Sequence, residues 1–107
     1  MKKTLLARDI VAKLYSTEGS VDAASVDAAR LLTALLEARS ELGLSATVGD
    51  EALTKLTEAM TALGEARAAM VSVHHELKAI HDALGIRGVA MAGKVIVLSQ
   101  EPEQVAA

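Results

Sequence analysis

Apolar residues recur along most of this chain at spacings of three and four, the periodicity of one face of an α-helix. Over residues 3–18 the stripe is Leu6, Ile10 and Leu14, widened by Leu5 and Val11, and Gly19 follows as a C-terminal stop. Ser20 or Ser25 then caps a second helix, whose face carries Ala28, Leu31, Leu32, Leu35, Leu36 and Leu42 before Gly43 ends it. Residues 44–49 form a short connection of the length that joins antiparallel neighbours, and Thr47 with Asp50 resembles an N-terminal capping arrangement.

From Asp50 to Leu84 the helical pattern is broken only by Gly64, and Gly85 is its natural stop. Leu53, Leu56, Met60, Leu63, Arg67, Met70, His74, Leu77, His81 and Leu84 alternate spacings of three and four, as in a coiled-coil seam. A second row, Ala59, Leu63, Ala66, Met70, Val73, Leu77, Ile80 and Leu84, is apolar throughout. Together the rows make a face wider than one partner helix covers. At 1.5 Å per residue this helix spans roughly 52 Å against roughly 33 Å for the one before it. The pattern therefore predicts an all-α fold: two long antiparallel helices plus a short N-terminal helix, completing a helical bundle by homodimerisation. Leu31, Leu35, Leu56, Leu63, Met70, Leu77 and Leu84 are its expected core or dimer seam.

After Gly85 the pattern changes. Gly88 and Gly93 punctuate the chain, and Lys94-Val95-Ile96-Val97-Leu98 is a short run of strand-like composition, placed to cover the end of the bundle or to pair with its counterpart in a second subunit. Residues 1–98 are read as a single helical domain and 99–107, with Pro102, as a disordered tail.

Composition sharpens this. Of 107 residues 51% are hydrophobic but only 1% aromatic, so Ala, Leu and Val must form the core, and Ala and Leu are strong helix formers. A net charge of −3 gives no general attraction to phosphate. The basic cluster Lys2, Lys3, Arg8 and Lys13 is diluted by Asp9 and Glu18 and reads as a solvated helix face, so no direct nucleic-acid contact is expected. The absence of cysteine fits a reducing compartment, and the cytoplasm is the expected location. Arg8 and Asp9 interrupt the apolar start before a signal segment forms, and no stretch is apolar enough for a membrane span.

All three histidines fall in Val73-His74-His75-Glu76-Leu77-Lys78-Ala79-Ile80-His81-Asp82. A His-Glu-x-x-His zinc motif would need histidine at Ala79. His74 and His81 share a face but stand roughly 10 Å apart along the axis, too far for one ion. The glutamates nearest a di-metal Glu-x-x-His motif, Glu76 and Glu65, are followed three residues on by Ala79 and Ala68. No phosphate loop or nucleophile elbow is present. The reading is a non-enzyme with no metal and no cofactor.

Ser25-Val26-Asp27-Ala28-Ala29-Arg30, followed by Leu35, Glu37, Glu41 and Leu42, resembles the first long helix of the TraM antiactivators of conjugal-transfer quorum sensing. Val73-His74, Glu76-Leu77-Lys78-Ala79-Ile80 and the closing Lys94-Val95-Ile96-Val97 resemble the end of their second helix and its hydrophobic tail. The resemblance spans about two thirds of the chain. It departs from that pattern at Thr17-Glu18-Gly19 and at Ala92-Gly93, where prolines are expected. The resemblance implies a helical homodimer that binds a TraR-like activator of the LuxR type and prevents it from holding DNA, so repressing conjugation genes. It also makes Asp27, Arg30, Glu37, Glu41 and His74 candidates for partner contact or for fixing the helix pair, each otherwise an ordinary surface charge. Two other readings share the helical pattern: a scaffold or chaperone-type protein with another client, and a metal- or ligand-binding bundle using the histidines.

Overall fold

The computed structural model describes residues 2–85, and two helices account for most of them: α1 (Lys2–Glu41) and α2 (Asp50–Leu84). Among the described residues there is no strand. The strand-like run 94–98 and the tail 99–107 lie outside the described residues.

The short N-terminal helix expected over 3–18 is not a separate element: α1 is continuous for 40 residues, with Gly19 and Ser20 inside it. A helix-ending glycine takes the left-handed conformation, as Gly43 and Gly85 do at φ 65° and 64°, and Gly19 does not. Ser25 caps nothing; its hydroxyl donates to the Val21 carbonyl one turn back, at 3.0 Å. The physical reason lies in the competing costs. A glycine inside a helix costs about 1 kcal/mol relative to alanine, whereas ending and restarting a helix leaves four N–H and four C=O groups unpaired and repeats nucleation. The half-buried row also runs unbroken through this region, from Val11 and Leu14 through Glu18, Val21, Ser25 and Ala28 to Leu32, still alternating threes and fours.

The other ends follow local chemistry. At the end of α1 the Leu44 amide donates to the Arg39 carbonyl (3.0 Å) and the Gly43 amide to the Ser40 carbonyl (3.1 Å), a Schellman closure around the left-handed Gly43. At the start of α2 the Gly49 carbonyl accepts from the Leu53 amide, and Asp50 and Glu51 occupy the first turn, where negative charge suits the helix dipole. Asp50 is thus inside the helix rather than part of a cap with Thr47, whose hydroxyl instead meets that of Ser45 at 2.9 Å. Gly85 closes α2 by donating to the Asp82 carbonyl.

The described residues divide into two compact units, one formed by residues 2–16 with 71–85, the other by Thr17–Met70. In the second unit α1 and α2 run antiparallel, joined by the connection. Arg67 Nε stands 3.4 Å from Asp22 Oδ1, and Arg39 Nη1 stands 3.6 Å from Asp50 Oδ1, so higher numbers on α1 meet lower numbers on α2. In the first unit Tyr15 stacks obliquely on His74, ring centroids 6.1 Å apart. In both pairs of the second unit the residue numbers add to the same total, the arithmetic of antiparallel register.

The interior is thin. Among the described residues only Val11 and Leu14, both in the first unit, are buried hydrophobics. On α2, Leu56, Leu63, Met70 and Leu77 are half-buried, as the seam pattern predicts, while Arg67 swings outward to Asp22 and Ala66 takes the inward place. Leu31, Leu35 and Leu84, expected in the seam, are exposed. The mismatch in helix length that argued for a second subunit also disappears, since α1 has 40 residues and α2 has 35.

Candidate functional site

The second half of α1 presents two adjacent rows to solvent. Asp27, Arg30, Ala34, Glu37 and Glu41, again at spacings of three and four, are all exposed and face directly away from α2. Asp27 and Arg30 form a loose ion pair at 3.8 Å, both side chains 78% exposed, which contributes little to stability. Beside this charged row lie Leu31, Leu35 and Leu42, the last 70% exposed, and the row continues into Leu44 and Val48 of the connection. A shallow cavity of about 170 Å³ opens between Leu35, Leu42, Leu44, Val48 and Leu53. An apolar strip with a charged border is the make-up of a protein-contact surface: the strip supplies desolvation energy and the border fixes orientation.

Arg39 holds this surface in shape, a role the sequence reading missed. Its Nη1 donates to the Ala46 carbonyl at 2.7 Å and to the Val48 carbonyl at 3.4 Å, tying the connection to the last turn of α1. Its side chain is only 22% exposed, and its charge sits where the helix dipole is negative. One signal was available: Arg39 continues the spacing from Leu32 and Leu35 into the inward row. Arg39→Ala is expected to lower stability by about 2 kcal/mol, because charged donors to backbone carbonyls contribute about 1.5–3 kcal/mol. Arg39→Lys should restore part of it, since all the contacts come from one nitrogen, Nη1, which an ammonium replaces on a shorter side chain. Urea unfolding of the two variants measures both effects.

In the first unit His74 is half-buried between Tyr15 and His75, whose ring lies 6.4 Å away. It is less exposed than the other candidate contact residues, Asp27, Arg30, Glu37 and Glu41. His81, one heptad further, is 17% exposed at the side chain, with Nδ1 3.2 Å from Asp82 Oδ1. Lys78 Nζ approaches the other Asp82 oxygen at 3.0 Å. Hydrogen bonds from Lys78 first, then His81, hold the Asp82 carboxyl below the usual carboxylate range. A lowered folded-state value means that this cluster stabilises above the unfolded carboxyl range and stops doing so as pH falls through the lowered one; its exposure keeps the contribution small.

His81 also lines an apolar groove of about 420 Å³ walled by Leu6 and Ile10 of α1 and Leu77, Ile80 and Leu84 of α2, with Lys2 and Lys3 at its mouth. The Nε2 atom of His81 is buried there and has no hydrogen-bond partner among the described residues. Among the described residues no three His, Cys, Asp or Glu side chains gather as a metal-binding group, and no helix is long and apolar enough to cross a membrane. Comparison of the chain with protein-family models, with curated proteins and with solved structures finds no match.

Proposed function

We propose that this chain is a helical antiactivator: a homodimer that docks on a LuxR-type, TraR-like transcriptional activator, keeps it off DNA and so represses conjugation genes, acting in the cytoplasm by protein contact and without chemistry, cofactor or metal. The observation that carries the reading is the outward row of α1. Asp27, Arg30, Glu37 and Glu41, the positions brought forward by the resemblance to the TraM antiactivators, fall on one solvent-facing line flanked by exposed leucines. Charges on the solvent side of a helix are ordinary; what supports the reading is that this row runs beside Leu31 and Leu42, which are exposed as well. Homodimerisation draws support from the same exposure, because a two-helix pairing with two buried hydrophobics leaves Val73, Ile80 and Leu84 without cover. A scaffold or chaperone-type protein would present the same surface to another client, and client identity separates the two readings.

The test is co-expression with a LuxR-type activator, followed by co-purification and a gel shift on the activator's operator. The wild-type chain is expected to co-purify and to release the DNA. Leu31→Asp with Leu42→Asp should weaken binding on the order of 30-fold or more, equivalent to about 2 kcal/mol for a hot-spot pair, with helicity unchanged because both side chains are exposed in the free chain. A folded wild-type chain that neither co-purifies with the activator nor disturbs its DNA complex refutes the reading.

A further inference from the structure

The groove of the first unit has aliphatic walls and a basic mouth. Leu6 and Ile10 form one wall and Ile80 and Leu84 the other, each about half exposed, with the buried Val11 beneath. Past the lysines, the one polar side chain in the described lining is His81. Its Nε2 is buried and its Nδ1 is set against Asp82, so the open surface along the groove is hydrocarbon. An extended peptide laid there would bring N–H and C=O groups for which these walls offer no partner, an unfavourable burial that an alkyl chain avoids. The volume of about 420 Å³ lies in the range of small-molecule pockets. The mouth differs in character. Lys2 and Lys3 stand there, the first turn of α1 holds no acidic residue, and Asp82, the carboxylate in the last turn of α2, is engaged by Lys78 and His81. Among the described residues neither lysine has a carboxylate partner.

We infer that this groove binds a free medium-chain fatty acid, with the carboxylate held by Lys2 and Lys3 and the alkyl tail laid along Leu6, Ile10, Ile80 and Leu84. Two separate features point to that class: charge of one sign at one end of the described lining, and hydrocarbon along the rest. The lengths agree, since Lys3 to Ile10 covers roughly 10 Å of α1, about the reach of eight zigzag carbons with bonds of about 1.5 Å. Neither half suffices alone. A short carboxylate would meet only two exposed, solvated ammonium groups, a contact of small net gain. Most of the affinity therefore comes from the tail, and each methylene buried in the groove should tighten binding about fourfold. The site lies within one chain, and the inference is independent of the proposed antiactivator role.

The test is titration of the isotope-labelled full-length chain with octanoate, kept below the concentration at which it forms micelles. The methyl resonances of Leu6, Ile10, Ile80 and Leu84 are expected to shift together along one saturating curve, with those of Leu53 and Leu56 unmoved. Hexanoate, two methylenes shorter, should bind about 15-fold more weakly. Octyltrimethylammonium, the same tail under a cationic head, should bind about tenfold more weakly than octanoate, and Lys2→Glu with Lys3→Glu should reverse that order. Both lysines are exposed and glutamate suits the first turn of a helix, so the charge reversal keeps the fold. Ile80→Asp, at a half-exposed position, should abolish the saturable shifts at Leu6 and Ile10 with helicity unchanged. A folded wild-type chain without a saturating shift would overturn the inference, as would equal binding of the two heads or octanoate binding that persists in Ile80→Asp. An affinity for octanoate that weakens in proportion to protein concentration would assign the groove to a second copy and overturn it as well.

Discussion

Replacing Gly19 by alanine is expected to stabilise the chain by about 1 kcal/mol, and replacing it by proline to destabilise it by about 3 kcal/mol or more. Both follow from the position of Gly19 inside α1, where its backbone is helical and a β-carbon would meet nothing within 4 Å. Alanine there reduces the freedom of the unfolded chain and adds no strain. Proline removes the amide that would bond to the Tyr15 carbonyl and drives its ring into that carbonyl. If Gly19 were instead the left-handed terminus of a separate helix, the sign for alanine would change, because alanine would be strained in that conformation, whereas proline, its φ fixed near −65°, would destabilise in either case. Gly43, at φ 65°, supplies the contrast, because alanine at that position should destabilise. Urea unfolding followed by circular dichroism gives the sign at each position. A destabilising Gly19→Ala would show that α1 is two helices.

The reason this could not be read from the sequence is that a glycine followed by serine looks the same whether it ends a helix or interrupts one. The decision rests on whether the inward row continues past it, and here that row continues through Glu18 and Ser25, polar residues that disguise the periodicity. Ser25 is tolerated because it bonds to its own helix backbone, and Arg39 because its head reaches the connection. By contrast α2 was legible from Asp50 to Leu84, since its inward row is leucine or methionine except at Ala66, His74 and His81 and its ends are marked by Gly49 and Gly85. The width of the apolar face was legible too, and the structure places its outer members, Val73 and Ile80, at the surface; Leu84, expected in the seam, is exposed with them. What periodicity could not supply was the groove. It joins the start of α1 to the end of α2, residues far apart in sequence, and only the antiparallel register brings Leu6 and Ile10 opposite Ile80 and Leu84.

Leu14→Ala is expected to cost about 3 kcal/mol, within the 2–5 kcal/mol usual for a buried leucine. Leu14 is 4% exposed and, with Val11 at 9%, makes up the buried apolar interior of the described residues. A domain with ordinary stability of about 5–15 kcal/mol would lose a large fraction of it, and with a urea slope of about 1–3 kcal/mol/M the midpoint should fall by about 1–3 M. Leu36→Ala is the control. Its side chain is 40% exposed on the isolated chain, and truncation should cost well under half as much. The comparison also bears on the homodimer, because a second subunit would cover side chains that α1 and α2 leave open. In that case Leu36→Ala or Ile80→Ala would cost nearly as much as Leu14→Ala, and the wild-type midpoint would rise with protein concentration, as linkage of folding to association requires. A Leu14→Ala loss far larger than both, at a midpoint independent of concentration, would instead mean that the chain folds on the small core around Val11 and Leu14 alone, and homodimerisation would have to be given up.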